Sequence, residues 1–170
     1  MTFLIEALSE TPFAKWFGAS SEALADRGIE RVVADTEPGY PCRVSFRDAR
    51  VGESLLLLNY THHDVATPYR SSHAIFVIEG ATRARPLPGE IPEVLARRLM
   101  SVRAFDRAGN MIHADVVDGV ALRSCIEGCF DRSDVDYLHL HNARPGCFAA
   151  RVVRAERSAD PRGAAISSFS

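Results

Sequence analysis

The densest run of chemically able side chains is Tyr137-Leu-His-Leu-His-Asn-Ala-Arg-Pro-Gly-Cys147. It reads as a strand entering a tight turn, with the next strand starting at Cys147. Side chains alternate faces along a strand, so Tyr137, His139 and His141 share one face. Arg144-Pro145-Gly146 is turn chemistry, because proline fixes φ and glycine accepts a positive one. The turn brings Asn142, Arg144 and Cys147 to the end of the histidine strand. His139, His141, Asn142, Arg144 and Cys147 are therefore expected to form one wall of a site. Arg43 and the Tyr69-Arg70 loop are the expected opposite wall.

Three chemistries suit these residues. The first is metal binding. His139 and His141 have Cα atoms under ~7 Å apart on one strand face, so both imidazoles can reach one transition-metal ion. A catalytic zinc site needs a third protein ligand; His73, His113, Asp115 or Cys147 can supply it if the strand order allows. The second is nucleophilic catalysis by Cys147 or Cys42. A cation or histidine beside a cysteine favours its thiolate, and Arg43, Arg144 and the histidines are near in sequence or across the turn. The third is anion binding by Arg43, Arg70 and Arg144, with Tyr40, Tyr69 and Asn142 adding hydrogen bonds.

Each has a plainer counterpart. The histidines can be a polar sheet face. The cysteines can be small buried hydrophobes, as Cys125 and Cys129 are on a helix stripe. The arginines can pair with local carboxylates such as Asp48 or Asp64. His62-His63-Asp64 reads as solvated surface, because three consecutive residues do not all face one site. No phosphate loop, nucleotide fingerprint or hydrolase elbow occurs, and the acidic residues lack calcium-loop spacing.

Composition bounds these readings. The chain has 170 residues, 46% hydrophobic and 25% charged, with a net charge of -2. That favours one domain, placed at 1–157 with a loose tail at 158–170, and gives no global electrostatic case for nucleic acid. Of the 20 basic residues only Lys15 is lysine. The longest purely aliphatic run is Leu55 to Leu58, far short of a membrane span. The N-terminal segment lacks the basic region of a signal peptide. The expected compartment is the cytoplasm, where the four cysteines stay reduced. Their spacings match no zinc pattern.

The elements that must position these residues follow from periodicity and punctuation. Strands are expected at Phe3 to Leu8, Ile29 to Asp35, Cys42 to Phe46, Ser54 to Tyr60, His73 to Glu79, Ser101 to Phe105 and Met111 to Val117. Thr11-Pro12 starts one short helix, Ser20 or Ser21 caps a second, and Pro92 opens a third. Thr61 to Ser72 reads as a polar loop. Asp118 is the expected cap of a helix over Gly119 to Phe130, with Leu122, Cys125, Ile126, Cys129 and Phe130 as its apolar stripe. A last hairpin pairs Val135 to His141 with Cys147 to Val153. Strand after strand with a few helices set apart predicts an α+β fold with a predominantly antiparallel sheet, open or partly closed into a barrel.

Gly39-Tyr-Pro-Cys-Arg43, Pro68-Tyr-Arg70, Ile75-Phe-Val77 and the His139-x-His-Asn-x-Arg-Pro-Gly-Cys147 run, with Asp48 and Gly52-Glu53, form a set. As a set they resemble a family of uncharacterised bacterial proteins built on a domain of unknown function, over about Ile29 to Arg154. The resemblance implies a bacterial, cytoplasmic, single-domain protein and carries no catalytic role onto these positions. The leading functional reading is a pocket for a small anionic molecule, with Arg43, Tyr69, Arg70, Asn142 and Arg144 as ligand-binding residues. The alternatives are an enzyme using a metal on His139 and His141 or a Cys147 thiolate, and a protein-interaction domain, homodimer included. No nucleic acid or membrane partner is expected.

Overall fold

A computed structural model describes residues 2–155; the expected tail at 158–170 lies outside them. In chain order the elements are β1 (Phe3–Glu6), α1 (Thr11–Ala14), α2 (Ser21–Ala25), β2 (Glu30–Val33), β3 (Ser54–His63), β4 (Ser71–Ile78), α3 (Glu93–Ala96), β5 (Leu99–Phe105), β6 (Met111–Asp118), a 3₁₀ turn (Gly119–Ala121), α4 (Leu122–Phe130), β7 (Tyr137–Asn142) and β8 (Phe148–Arg154). They build a five-stranded sheet in the order β1-β8-β7-β5-β6 and a three-stranded sheet in the order β2-β3-β4. Every pairing within the two sheets is antiparallel. The α+β expectation holds. Both sheets are open, with free edges, so among the described residues no barrel closes.

The period-2 pattern of β7 decides what each face of the larger sheet meets. Leu138 and Leu140 join Val102, Ala104 and Val152 in a core against Leu122, Ile126 and Phe130 of α4. Each fully buried aliphatic of that kind contributes roughly 1.5–3 kcal/mol by leaving water. Tyr137, His139 and His141 point the other way, against the far ends of β3 and β4. A second core, with Leu55, Ile75 and Val77, packs the smaller sheet under Phe13, Cys42 and Val44.

The local signals place several ends well. Ser20 caps α2 by accepting from the Ala23 N–H at 3.2 Å, and Gly18 and Gly28 leave the first two helices with positive φ. Three expectations are corrected. Cys42 to Phe46 is a compact turn rather than a strand: Phe46 N donates to Cys42 O at 3.2 Å and Phe46 takes φ 50, which no strand residue adopts. Asp118 makes no side-chain cap, and a 3₁₀ turn precedes α4. The Thr61 to Ser72 loop is shorter than expected, since β3 continues to His63 and β4 starts at Ser71, which leaves residues 64–70 as the connection.

Gly119 holds α3 against the end of β6. Its N–H donates to Arg98 O at 2.8 Å. A Cβ at this position would sit 2.3 Å from Ala96 O and 2.4 Å from Leu95 O, both backbone atoms that cannot swing aside. That close approach fixes the α3 C-terminus, and with it Arg97 and Arg98. Gly119→Ala is expected to cost about 2 kcal/mol or more through forced backbone separation. A urea midpoint equal to that of the parent protein would contradict this.

Candidate functional site

A cavity of about 580 Å³ opens where the Gly39–Arg43 segment, the α3 C-terminus and the β7–β8 turn meet. That volume suits a small organic molecule. Its polar lining is Arg43, Arg97, Arg98, Arg144, Asn142, Cys147 and one carboxylate, Asp118. Pro41, Phe76 and Leu99 add apolar wall.

Arg43 forms the back of this cavity and is only 2% exposed. Its Nε–H donates to Phe148 O at 2.8 Å, one Nη2 hydrogen to Cys147 Sγ at 2.9 Å, and Nη1 to Pro41 O. Among the described residues it has no carboxylate partner within 4 Å. Burying a cation without a counter-charge is expensive. Accordingly burial pushes the Arg43 pKa below its ordinary value, while the Cys147 and Cys42 sulfurs act in the opposite sense.

Two N–H donors converge on the Cys147 sulfur, from Arg43 and from Asn142 Nδ2 at 3.4 Å. No imidazole among the described residues hydrogen-bonds to it. The nearest candidate in the chain, His141, turns Nδ1 to Gly146 O at 3.0 Å. A cysteine–histidine nucleophile pair is therefore not assembled. Asn142 Oδ1 is buried and lacks a partner among the described residues. Behind the wall Asp48 accepts from Arg98 at 2.5 Å and lies 3.7 Å from Arg97, so those two charges are partly neutralised.

The expected single wall splits in two. Asn142, Arg144, Cys147 and Arg43 meet in the cavity, but His139 and His141 do not line it. Strand alternation sends His141 and Asn142 to opposite faces. Tyr69 and Arg70 are also elsewhere. Arg70 is exposed and pairs with Asp64 at 2.7 Å, the plainer alternative for a loop arginine. Tyr69 uses its carbonyl to accept from His63 Nδ1 at 2.8 Å. Tyr40 donates to Asp35 at 2.8 Å. Cys42 is fully buried beside β4, where Ile78 N–H reaches its sulfur at 3.3 Å. His113 and Asp115 are exposed on the edge strand β6.

The histidines gather on the other face of the larger sheet. His62 lies flat between His73 and Phe148, at 4.9 Å and 21° from one and 4.6 Å and 9° from the other. Its ring meets His139 and His141 edge-on at 5.4 and 5.1 Å. His62 Nε2 and His73 Nδ1 are 2.7 Å apart. His63 is buried too, and Tyr137 OH donates to its Nε2 at 2.7 Å. The solvated-surface reading of His62 and His63 is thus overturned. The reason is a β-bulge: Thr61 faces Ser72 and His63 faces Ser71, leaving His62 as the extra residue. Alternation past the exposed Thr61 puts His62 on the inward face with Tyr60 and its cross-strand partner His73, and the bulge re-aims His63, which alternation alone would send outward.

Burial dominates the electrostatics here. It pushes His139 down to about 2 and His141 and His62 down to about 3, with the neighbouring histidines adding to the effect. All three imidazoles are neutral near pH 7.

The family model described as "Protein of unknown function (DUF1203)" matches residues 39–154. The chain belongs to that family. The match spans the whole cavity and the histidine cluster, and omits β1, α1, α2 and β2. No curated protein and no solved structure matches the chain. No helix of the described residues is long and apolar enough to cross a membrane.

Stability should follow pH through the buried histidines. Their folded pKa values lie below the unfolded value of about 6.5, so stability is complete above that pH and is lost as pH falls towards 3. Each fully buried imidazole contributes a slope of about 1.4 kcal/mol per pH unit inside that window. Glu53 and Glu79, both held near 2 by arginine partners, do not titrate between pH 7 and 5. Denaturant midpoints should therefore drop between pH 7 and 5, and His139→Phe should flatten the drop. A pH-independent midpoint across that range would contradict the burial assignment.

Proposed function

We propose that the protein binds a small anionic molecule in the Arg43–Arg144 cavity. The observation that carries this reading is the fully buried Arg43, which faces a cavity and has no carboxylate partner among the described residues. Three of the five guanidinium N–H groups are engaged by the protein. The remainder are available to an oxyanion, which would supply the missing counter-charge in a water-poor setting where such contacts are strongest. Arg144, exposed at the rim, adds a second cation. Asn142 offers a buried amide oxygen to a ligand hydroxyl or amine. The apolar wall of Phe76, Pro41 and Leu99 suits a carbon skeleton behind the charged group. The ligand class is thus a small carboxylate or phosphate ester that also carries a hydrogen-bond donor.

Cys147 sits at the point where the anion would dock, with Arg43 and Asn142 donating to its sulfur. In this reading it is a contact residue and acts without a base.

The test is thermal unfolding against a panel of carboxylates and phosphates at constant ionic strength. A member of the right class should raise Tm by roughly 5 °C or more at saturation, through preferential binding to the folded state. Arg144→Ala, on an exposed turn, should retain the fold and weaken that ligand about tenfold. No response to any anion would overturn the proposal.

A further inference from the structure

We infer that His62, His139 and His141 form a binding site for a divalent transition-metal ion of the zinc type. The inference goes beyond the anion reading, because none of the three histidines lines the Arg43 cavity.

Each of the three offers a ring nitrogen, and these lie within 4.8 Å of one another. In a tetrahedral zinc site with Zn–N near 2.0–2.1 Å, ligand nitrogens sit about 3.3 Å apart. The remaining gap closes by small ring rotations, which the half-buried His62 can supply. Imidazole ligands suit zinc, copper, nickel and iron, and three of them leave a fourth position open.

The second observation is the set of atoms without partners. His62 Nδ1, His139 Nδ1 and His141 Nε2 are all buried and unbonded among the described residues. Buried polar atoms are nearly always satisfied, so three in one cluster need an explanation. Their opposite nitrogens point to one. His141 Nδ1–H donates to Gly146 O, which leaves Nε2 as a bare lone pair. His62 Nε2 meets His73 Nδ1, which suits a proton on His62 Nε2 and a lone pair on its Nδ1. A ligand histidine commonly gives its far N–H to a carbonyl or another acceptor in this way, and that bond orients the ring. The stacking of His62 between His73 and Phe148 adds a mechanical brace.

The surrounding charges select the fourth ligand. Arg103 from β5, Arg151 from β8 and Arg43 all act electrostatically on the cluster. Tyr137 and His63 close the far side. No carboxylate of the described residues stands among them. A dication held by three neutral imidazoles amid arginines should take an anion, such as phosphate or a carboxylate, at its open position.

The experiment uses the untagged full chain, stripped with a chelator and dialysed. Zn²⁺ is followed by titration calorimetry and Co²⁺ by its visible absorption. One equivalent of either ion should bind, with the visible band intensity of a four-coordinate cobalt centre. His62→Ala and His141→Ala should each weaken binding at least 100-fold, while His113→Ala, on the exposed edge strand, should leave it unchanged. His62 is half-buried at a strand end, so its replacement tests the site even if His141→Ala fails to fold. Absence of uptake by the parent protein, or uptake undiminished in His62→Ala, overturns the inference.

Discussion

Arg43 is the constraint around which the two sheets are arranged. Its backbone N–H donates to Phe76 O on β4 at 3.1 Å, and its carbonyl accepts from Leu8 N at 2.9 Å. Its guanidinium reaches across to Phe148 O on β8 and to Cys147. One residue therefore couples the smaller sheet, the β1–α1 connection and the β7–β8 turn. A hydrophobic side chain of similar size would pack there at less desolvation cost. The charge has a structural use in satisfying two carbonyls. It also leaves a cation at the back of a cavity, which is where a binding function has something to act on.

The second contact between the sheets is aromatic and polar at once. Phe105, Tyr137, His139, His141 and Phe148 of the larger sheet meet His62, His63 and His73 of the smaller. Neutral imidazoles pack here as flat rings while keeping lone pairs. The two candidate sites lie on opposite sides of one short segment. His141 faces the rings, Asn142 faces the cavity, and Gly146 and Cys147 in the following turn serve one each. Movement of that turn would be felt by both, and Arg43 already acts electrostatically on His141.

Much of this was legible in the residues. Period-2 patterning located β7 and put His139 and His141 on one face. Proline and glycine signals found the turns that bring Arg144 and Cys147 beside Asn142, and Arg43 was singled out with them. What stayed hidden depends on three-dimensional events that leave little local trace. The bulge that turns His63 inward beside His62 has no punctuating glycine or proline. Arg97 and Arg98 join the cavity only because Gly119 lets α3 pack closely. The expected site wall failed for a simple reason, since adjacent residues of a strand cannot share a face. Tyr69 and Arg70 had the right chemistry, but a neighbouring aspartate holds the arginine at the surface.

The central claim is that the Arg43 cavity prefers anions. The most direct measurement is the alkylation rate of Cys147, which lies in the cavity wall, by iodoacetate compared with iodoacetamide. The two reagents differ chiefly in charge, and the other cysteines can be resolved by peptide mass spectrometry. The account predicts that the iodoacetate-to-iodoacetamide rate ratio at Cys147 exceeds that of a free cysteine peptide. It also predicts that phosphate lowers the iodoacetate rate selectively. A ratio equal to the peptide's, unaffected by phosphate, would contradict it.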